Sequence, residues 1–469
     1  MSEEDFDFLS NSESEDLINN FESYLRHGYP SYFDVNELEI LLDYYLNMDK
    51  NEQVYALLKL SDKLHPGTVG IKFRKAKYLF SKGKLDEAWK LLDEVESLEK
   101  SNAEIYLVKG MIHVINKKFT AAETMFKKAV DMAGDELEDM YYTIATTLET
   151  AAQYKSAISY FQAAYKLSGG SDPELLYDLA YCYEKAGDYK KSTDYYKKYL
   201  NHNPFSESAW YNLAVNYHNK GKYHHAQEAF EYALTVKPDY SPAVLGSAEN
   251  LMQLQDYKTA ILYFKQYSKL AEPEADIIAE TGEAYYRLTD RKTAQHYYLL
   301  ALDKNSGCSE AHYGLGLLKY DEGKYLESIT HLKTALKYEA YNPDYWYSLA
   351  ISYQKINFIT EAEKAFKKAL DLYPYNPEIW VSYADLAFSS GNVKHAIELL
   401  TEGESFNEDI ARIKYRLAAY HLEVEDKKNA ISYFSEALKL NADESNDFFS
   451  FYPKAVQFTE LRSLLKNKH

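Results

Sequence analysis

The sequence predicts an all-α fold that is built from repeated pairs of helices. The first observation is helical spacing of apolar residues: Trp210, Leu213 and Tyr217 follow one another at i, i+3 and i+7, which places them on one helix face. The second observation is that this pattern returns every 34 residues along most of the chain. Such a period is typical of repeat proteins, in which stacked helical units bury a continuous core between neighbours.

Twelve units follow one another between residues 35 and 444. Successive units begin 34 residues apart, except for two spacings of 35 on either side of Glu138. Their first residues are Val35, Val69, Ala103, Glu138, Pro173, Glu207, Ser241, Ala275, Ser309, Pro343, Pro377 and Ala411. Small residues recur at one position of each helix in eleven of the units, such as Ala214 and Ala226 in the sixth, whereas the first unit has Leu42 in its first helix. These small side chains are expected to let neighbouring helices pack closely.

A glycine lies in the predicted turn between the two helices of five units. These glycines are Gly83, Gly187, Gly221, Gly323 and Gly391. Glycine adopts a positive φ without steric cost, and such a φ is common just after the end of a helix. We therefore expect a left-handed residue in these turns.

The segments outside the twelve units are predicted to cap them. Residues 1–34 are expected to form an acidic tail and a capping helix over about 15–27, which Gly28 and Pro30 would end. Residues 445–469 are expected to form an aromatic connector, Asn446–Tyr452, and a capping helix that Pro453 opens. Caps are expected because the first and last units of a repeat array would otherwise expose an apolar face.

The residues of the sixth unit resemble a known repeat family. They are Trp210, Leu213, Ala214 and Tyr217 in the first helix and Ala226, Phe230, Ala233 and Pro238 in the second helix and after it. This order resembles the tetratricopeptide repeat, or TPR, whose period is also 34 residues. The resemblance implies a right-handed superhelical solenoid with helical caps, in which the first helix of each repeat lines a concave groove. It also implies a protein-binding scaffold, but a shared fold does not identify the partner.

Composition and charge argue against several other functions. The formal net charge is −19, with 72 acidic and 53 basic residues, which argues against binding to nucleic acid or to anionic membranes. Two cysteines, Cys182 and Cys308, fit a reducing compartment. The sequence has no secretory-signal pattern and no apolar run of the ~18–20 residues that a membrane span needs. We therefore expect a cytoplasmic protein.

No sequence motif indicates catalysis. The metalloprotease, Walker and nucleophile-elbow patterns are absent from the sequence. His224 and His225 are adjacent on a predicted helix, where successive side chains point about 100° apart, and no further ligands complete a metal site there. Cys182 lies among tyrosines of a predicted helix, which favours a buried thiol over a nucleophile. We expect no enzymatic activity, no metal and no cofactor.

The predicted groove is aromatic and negatively charged. By resemblance to the family, positions 2, 5, 9, 12 and 13 of the first helix face a bound peptide. The fifth position is tyrosine in six repeats, and the ninth position carries Glu249, Glu283 and Asp385. Tyrosine offers an apolar face and a hydroxyl at low entropic cost, which suits peptide recognition. However, tyrosine at this position is also common in TPRs of any specificity, so a purely structural role stays open.

Ten residues form the candidate peptide-binding set. They are Tyr142, Tyr177, Tyr181, Tyr211, Asn212, His218, Glu249, Glu283, Tyr313 and Tyr347. Their chemistry favours a protein or peptide partner that is basic or rich in aromatic residues. A clamp for a C-terminal carboxylate is not expected, because the positions equivalent to Asn212 in the next two repeats are Gly246 and Glu280.

Three functions are consistent with the sequence. The first is a non-catalytic adaptor that holds a peptide or helical segment of a partner in its concave groove. The second is an architectural subunit that self-associates or assembles a larger complex through its convex face. The third is a regulatory sensor that responds to a peptide. The sequence leaves the oligomeric state open.

Overall fold

Twelve helical hairpins follow one another in the computed structural model, which describes residues 12–28, 32–170 and 172–466. Repeat n consists of helices α2n and α2n+1. The helices are α1 Ser12–His27, α2 Val35–Asn47, α3 Asn51–Leu64, α4 Val69–Ser81, α5 Leu85–Leu98, α6 Ala103–Ile115, α7 Phe119–Met132, α8 Leu137–Thr150, α9 Tyr154–Leu167, α10 Pro173–Lys185, α11 Tyr189–His202, α12 Glu207–Asn219, α13 Tyr223–Val236, α14 Ser241–Gln253, α15 Tyr257–Leu270, α16 Ala275–Arg287, α17 Arg291–Lys304, α18 Ser309–Asp321, α19 Tyr325–Tyr338, α20 Pro343–Lys355, α21 Ile359–Leu372, α22 Pro377–Ser389, α23 Val393–Phe406, α24 Ala411–Glu423, α25 Lys427–Leu440, α26 Ser445–Phe451 and α27 Thr459–Lys466. The described ranges contain no strand. The predicted all-α repeat fold is confirmed.

Close helix packing explains the recurring small residues. In repeat 6, the side chains of Ala214 and Ala226 are 0% exposed. In repeat 3 the small residue is Gly110, where an added Cβ would lie 2.3 Å from a ring carbon of Phe126. A contact that short is not tolerated in a close-packed interior. The small positions therefore set the distance between the two helices of a hairpin.

The turn within every hairpin contains one residue of positive φ. The five predicted glycines adopt it, with φ between 67° at Gly221 and 82° at Gly187 and Gly391. The other seven turns use residues that carry a side chain: Asp49, Lys117, Ala152, Gln255, Thr289, Asn357 and Glu425. In repeat 6, the Gly221 N–H donates to the His218 carbonyl at 2.8 Å. The left-handed turn is thus required by the hairpin geometry, and packing enforces it even where glycine is absent.

The two longer repeat spacings have different structures. Before α8, a 3-10 turn spans Gly134–Glu136, so that α8 begins at Leu137, one residue earlier than predicted. Before α10, Gly169 and Gly170 both have a positive φ, at 71° and 76°. The first extra residue therefore lengthens α8 to 14 residues, and the second lengthens the loop before α10.

Helices pack on both ends of the repeat array. Phe21 of α1 is 0% exposed and lies 6.1 Å from the Phe33 ring. At the other end, Phe448 of α26 is 0% exposed and lies 4.9 Å from the Phe434 ring in the last repeat. Residues 1–11, Pro30 and residues 467–469 lie outside the described ranges. None of the described helices is both long enough and apolar enough to cross a membrane.

The C-terminal segment differs from its prediction. The expected connector is itself the helix α26, and the single helix expected from Pro453 is divided into a 3-10 turn, Pro453–Gln457, and α27. The Lys454 ammonium pairs with Glu423 of the last repeat at 3.0 Å, and Ala455 is fully buried. These contacts hold the segment against the last repeat, which explains why the helix is interrupted there.

The chain divides into two units, Met1–Lys237 and Pro238–His469, each of which is described by itself. In unit 1, first helices of consecutive repeats contact each other, as α4 contacts α6 and α6 contacts α8. The second helix of a repeat instead packs mainly on its own partner and on the first helix of the next repeat. We call the face formed by α4, α6, α8 and α10 the inner surface of unit 1.

Candidate protein-binding groove

The fifth-position tyrosines link consecutive repeats. The Asn212 amide Nδ2 donates a hydrogen bond to the Tyr177 hydroxyl at 3.0 Å. Equivalent bonds join the fifth position of one repeat to the sixth position of the next, and they pair Tyr142 with Asp178, Tyr313 with Ser348 at 3.4 Å and Tyr347 with Ser382 at 3.1 Å. The tyrosine hydroxyls therefore help to set the register between repeats. The rings of Tyr142 and Tyr177 are half-buried, so part of each ring stays accessible to a ligand.

Three further candidates of unit 1 lie in aromatic contacts. The Tyr181 ring meets the Tyr154 ring edge-on at 6.4 Å, and the Tyr211 ring lies 5.9 Å from Phe230. The His218 ring lies 5.2 Å from the Tyr223 ring, also edge-on. All three candidate side chains are half-buried, so each has a structural contact and an accessible part.

The predicted acids of unit 2 differ in their surroundings. Glu283 pairs with Arg287 at 2.6 Å and accepts a hydrogen bond from the Tyr298 hydroxyl at 3.1 Å. Asp385 pairs with Arg416 of the next repeat at 3.0 Å. Glu249 is exposed. Two of the three ninth-position acids are therefore neutralised by arginine, which weakens the negative groove that the sequence predicts for this unit.

An apolar pocket opens on the inner surface of unit 1. Its volume is about 520 Å³, and its lining comes from three consecutive repeats. The lining residues are Phe80, Met111, Val114, Ile115, Lys117, Phe119, Thr147, Thr150 and Ala151. Ile115 is 54% exposed, which is unusual for a large apolar side chain next to other apolar groups. We call this cavity the inner pocket.

Two carboxylic acids, Glu149 and Asp178, lie on the helices α8 and α10 of the inner surface, and Glu149 directly precedes the pocket residue Thr150. Burial, together with the negative charge of Glu149, raises the pKa of Asp178 to about 7. Burial also raises the pKa of Glu149. Neither carboxylate has a lysine, arginine or histidine that stabilises its charge within the described ranges. We call these two groups the acidic pair; they are desolvated acids without a cationic partner, which is energetically costly when they ionise.

The sequence contained a signal for this pocket that the candidate set does not use. Met111 is at position 9 of its helix, Phe80 and Val114 are at position 12, and Ile115 and Thr150 are at position 13. These are positions that the family resemblance assigns to the groove, and they are apolar in repeats 2 and 3. An apolar residue at an exposed groove position is the feature that would have identified the pocket.

Within the described ranges, one group of possible metal ligands occurs, and it lies in unit 2. Ligand atoms of Asp276, Cys308 and Glu310 lie within 4.8 Å of one another. Burial raises the pKa of the Cys308 thiol to about 12, and the thiol donates to Glu310 at 3.5 Å. A metal ligand must be the thiolate, so binding at this group would require the thiol to lose its proton.

The chain is similar to several solved structures of helical-repeat proteins. The crystal structure of the yeast Tom70 is 17% identical with a TM-score of 0.46, and the alignment covers 92% of this chain and 98% of that chain. The crystal structure of the APC/C hetero-tetramer Cut9-Hcn1 is 14% identical with a TM-score of 0.45, covering 88% and 98%. YrrB, described as a TPR protein with an unusual peptide-binding site, is 20% identical with a TM-score of 0.30, covering 38% and 92%.

Family models match most of the repeat array. No curated protein sequence matches the chain significantly. Four tetratricopeptide repeat models match the chain. One model matches residues 73–136 and 280–345, and a second matches residues 150–216 and 357–419. The third matches residues 207–240, and the fourth matches residues 411–444. Together these matches cover more than half of the chain, and they fall on the helical hairpins of the structure. The chain belongs to the tetratricopeptide repeat family.

Proposed function

We propose that this protein-interaction scaffold is a non-catalytic adaptor, and that it holds an extended or helical segment of a partner protein on the inner surface of unit 1. The inner pocket supplies an apolar cavity, and the rings of Tyr142 and Tyr177 lie half-buried on the same set of helices. Apolar cavities with a few polar groups at their edge are the usual form of a binding site.

One observation carries the proposal: α8 holds both Thr150, which lines the inner pocket, and Glu149, one member of the acidic pair. Thr150 lines the pocket, and Glu149 precedes it in the chain and acts electrostatically on Asp178. A ligand cation placed there would pair with carboxylates that have no cationic partner of their own, and such a charge pair contributes to both affinity and selectivity. The geometry therefore favours a segment in which an apolar side chain stands next to a lysine or arginine.

Selection from a random dodecapeptide library on the immobilised full chain tests this function. We expect the enriched peptides to combine a large apolar residue with a nearby lysine or arginine. Thr150→Trp should weaken their binding at least tenfold, because the exposed Thr150 lies at the pocket and the indole would fill it. Lys127→Trp adds the same ring at a side chain that is 71% exposed on the second helix of repeat 3, and it should leave binding unchanged. Peptides that bind all three proteins equally would contradict the proposal.

A further inference from the structure

Three repeats carry a tryptophan at the fourth position of their first helix. The indole N–H groups of Trp210, Trp346 and Trp380 donate to backbone carbonyls six residues earlier. The acceptors are Pro204, Ala340 and Pro374, at 2.9, 2.8 and 2.8 Å respectively. This shared bond holds each ring in the same orientation at the start of its helix.

Two of these tryptophans are covered by a ring from the same repeat. Tyr232 stacks on Trp210 with ring centroids 4.6 Å apart, and Phe406 stacks on Trp380 at 6.0 Å. In repeat 10 the position equivalent to Tyr232 is Lys368, which pairs with Asp371 at 3.7 Å. Across the described ranges, no ring or cation stacks on Trp346. Repeat 10 therefore keeps the tryptophan but lacks the ring that covers it.

The uncovered tryptophan lies in a cleft between α19 and α21. The cleft has a volume of about 370 Å³ and is lined by Lys333, Leu336, Lys337, Trp346, Leu349, Tyr353, Glu361, Lys364 and Ala365. We call it the outer cleft of repeat 10, because its walls are second helices, on the side of the hairpin away from the first-helix contacts. Lys333 lies over the Tyr353 ring at 5.6 Å, and none of the three lining lysines forms an ion pair with a described residue.

The equivalent cleft of repeat 6 does not carry this excess of positive charge. That cleft has a volume of about 390 Å³, and its ionisable lining residues are Lys197, His225 and Glu228. One lysine and one glutamate balance each other there, whereas three lysines face one glutamate in repeat 10. The outer cleft of repeat 10 is thus both aromatic and cationic, and no described ring stacks on its tryptophan, Trp346.

We propose that the outer cleft of repeat 10 binds an acidic protein segment that carries a phenylalanine or tyrosine. The incoming ring stacks on Trp346 as Tyr232 stacks on Trp210, and neighbouring carboxylates pair with Lys333 and Lys364. Stacked aromatic rings attract each other beyond their simple burial, and carboxylates pair favourably with lysines that form no other ion pair. This ligand is opposite in charge to the one proposed for the inner surface of unit 1, so the two sites select different partners.

Carbodiimide crosslinking tests the site on the full chain. The probe is an isotope-labelled peptide with the sequence EEDFDFL, an acidic and aromatic segment that also occurs in this chain at residues 3–9. Carbodiimide joins carboxylates to amines that touch them, so we expect links from the peptide to Lys333 and Lys364. Crosslinks that carry no isotope label would come from the chain's own residues 3–9, and such crosslinks to Lys333 or Lys364 would support the same site. Links spread evenly over the surface lysines would overturn it.

Lys368→Tyr is the decisive variant, because it restores the ring that repeat 6 already carries. The lysine is 61% exposed, so the variant should fold, and its tyrosine should stack on Trp346 and exclude the probe. We expect at least a tenfold loss of crosslinks to Lys333 and Lys364. Lys368→Gln removes the same charge without adding a ring and should keep the crosslinks. The proposal would be overturned if Lys368→Tyr crosslinked to the probe as strongly as the unaltered chain does. It would also be overturned if a probe with both phenylalanines changed to serine crosslinked as strongly as the original probe.

Discussion

Replacing Tyr298 with alanine should cost about 3–5 kcal/mol of local stability, the range measured for large aromatic residues removed from cores. Tyr298 is 1% exposed, and its ring fills the space beside two glycines. An added Cβ at Gly282 or Gly314 would lie 2.9 or 2.1 Å from that ring. Because glycine has no side chain that could move into the cavity, the site cannot refill after the substitution.

Hydrogen exchange measured by mass spectrometry is the appropriate readout, because contacts in a repeat protein are local and unfolding of a long array is not two-state. We expect the faster exchange in Tyr298→Ala to be confined to α16, α17 and α18. Tyr297→Ala is the matched control, since this neighbouring tyrosine is half-buried and stacks on Tyr285 at 5.3 Å. Equal effects of the two substitutions would contradict the packing described for Tyr298.

As the pH increases toward 7, the affinity of unit 1 for the selected basic peptides should increase about tenfold per pH unit, and above pH 7 it should level off. Proton linkage requires this dependence when binding needs one ionised acid. Burial raises the pKa of Asp178 to about 7, so the free protein holds this group protonated in mildly acidic solution. A lysine or arginine of the peptide pairs only with the ionised form. Fluorescence titrations between pH 5.5 and 8 measure this dependence.

Asp178→Asn should remove most of the pH dependence and hold the affinity at its low-pH value. The same pKa shift has a consequence for stability: the folded chain holds the proton of Asp178 more tightly than the unfolded chain does. The free protein should therefore lose stability as the pH rises from about 4 to 7, and the asparagine variant should lose less. A steep pH dependence that persists in Asp178→Asn would assign it to another group.

Periodicity was sufficient to predict the helices, because each repeat keeps the same apolar positions and the same length. The prediction was least accurate where local contacts decide the structure. The turn at Gly134–Glu136 and the helix α26 depend on packing against a neighbouring repeat, which periodicity does not describe. The left-handed Thr289 is a similar case, since its residue type alone disfavours the conformation that the hairpin requires.

The candidate site was predicted less completely than the fold. The fifth-position tyrosines were identified, but their hydroxyl bonds to the next repeat depend on the register between helices, as the Tyr177–Asn212 pair shows. The inner pocket arises from side chains of three repeats, such as Phe80, Met111 and Thr150, which no single repeat reveals. The raised pKa of Asp178 likewise depends on burial and on a neighbouring repeat's Glu149.

The most direct test of the central claim is to repeat the peptide selection on a chain in which Glu149 and Asp178 are both lysine. If the inner pocket and the acidic pair form one binding site, the enriched peptides should keep their large apolar residue and exchange the neighbouring lysine or arginine for aspartate or glutamate. Enrichment of the same basic peptides on the reversed chain would contradict the claim and place their binding elsewhere on the protein.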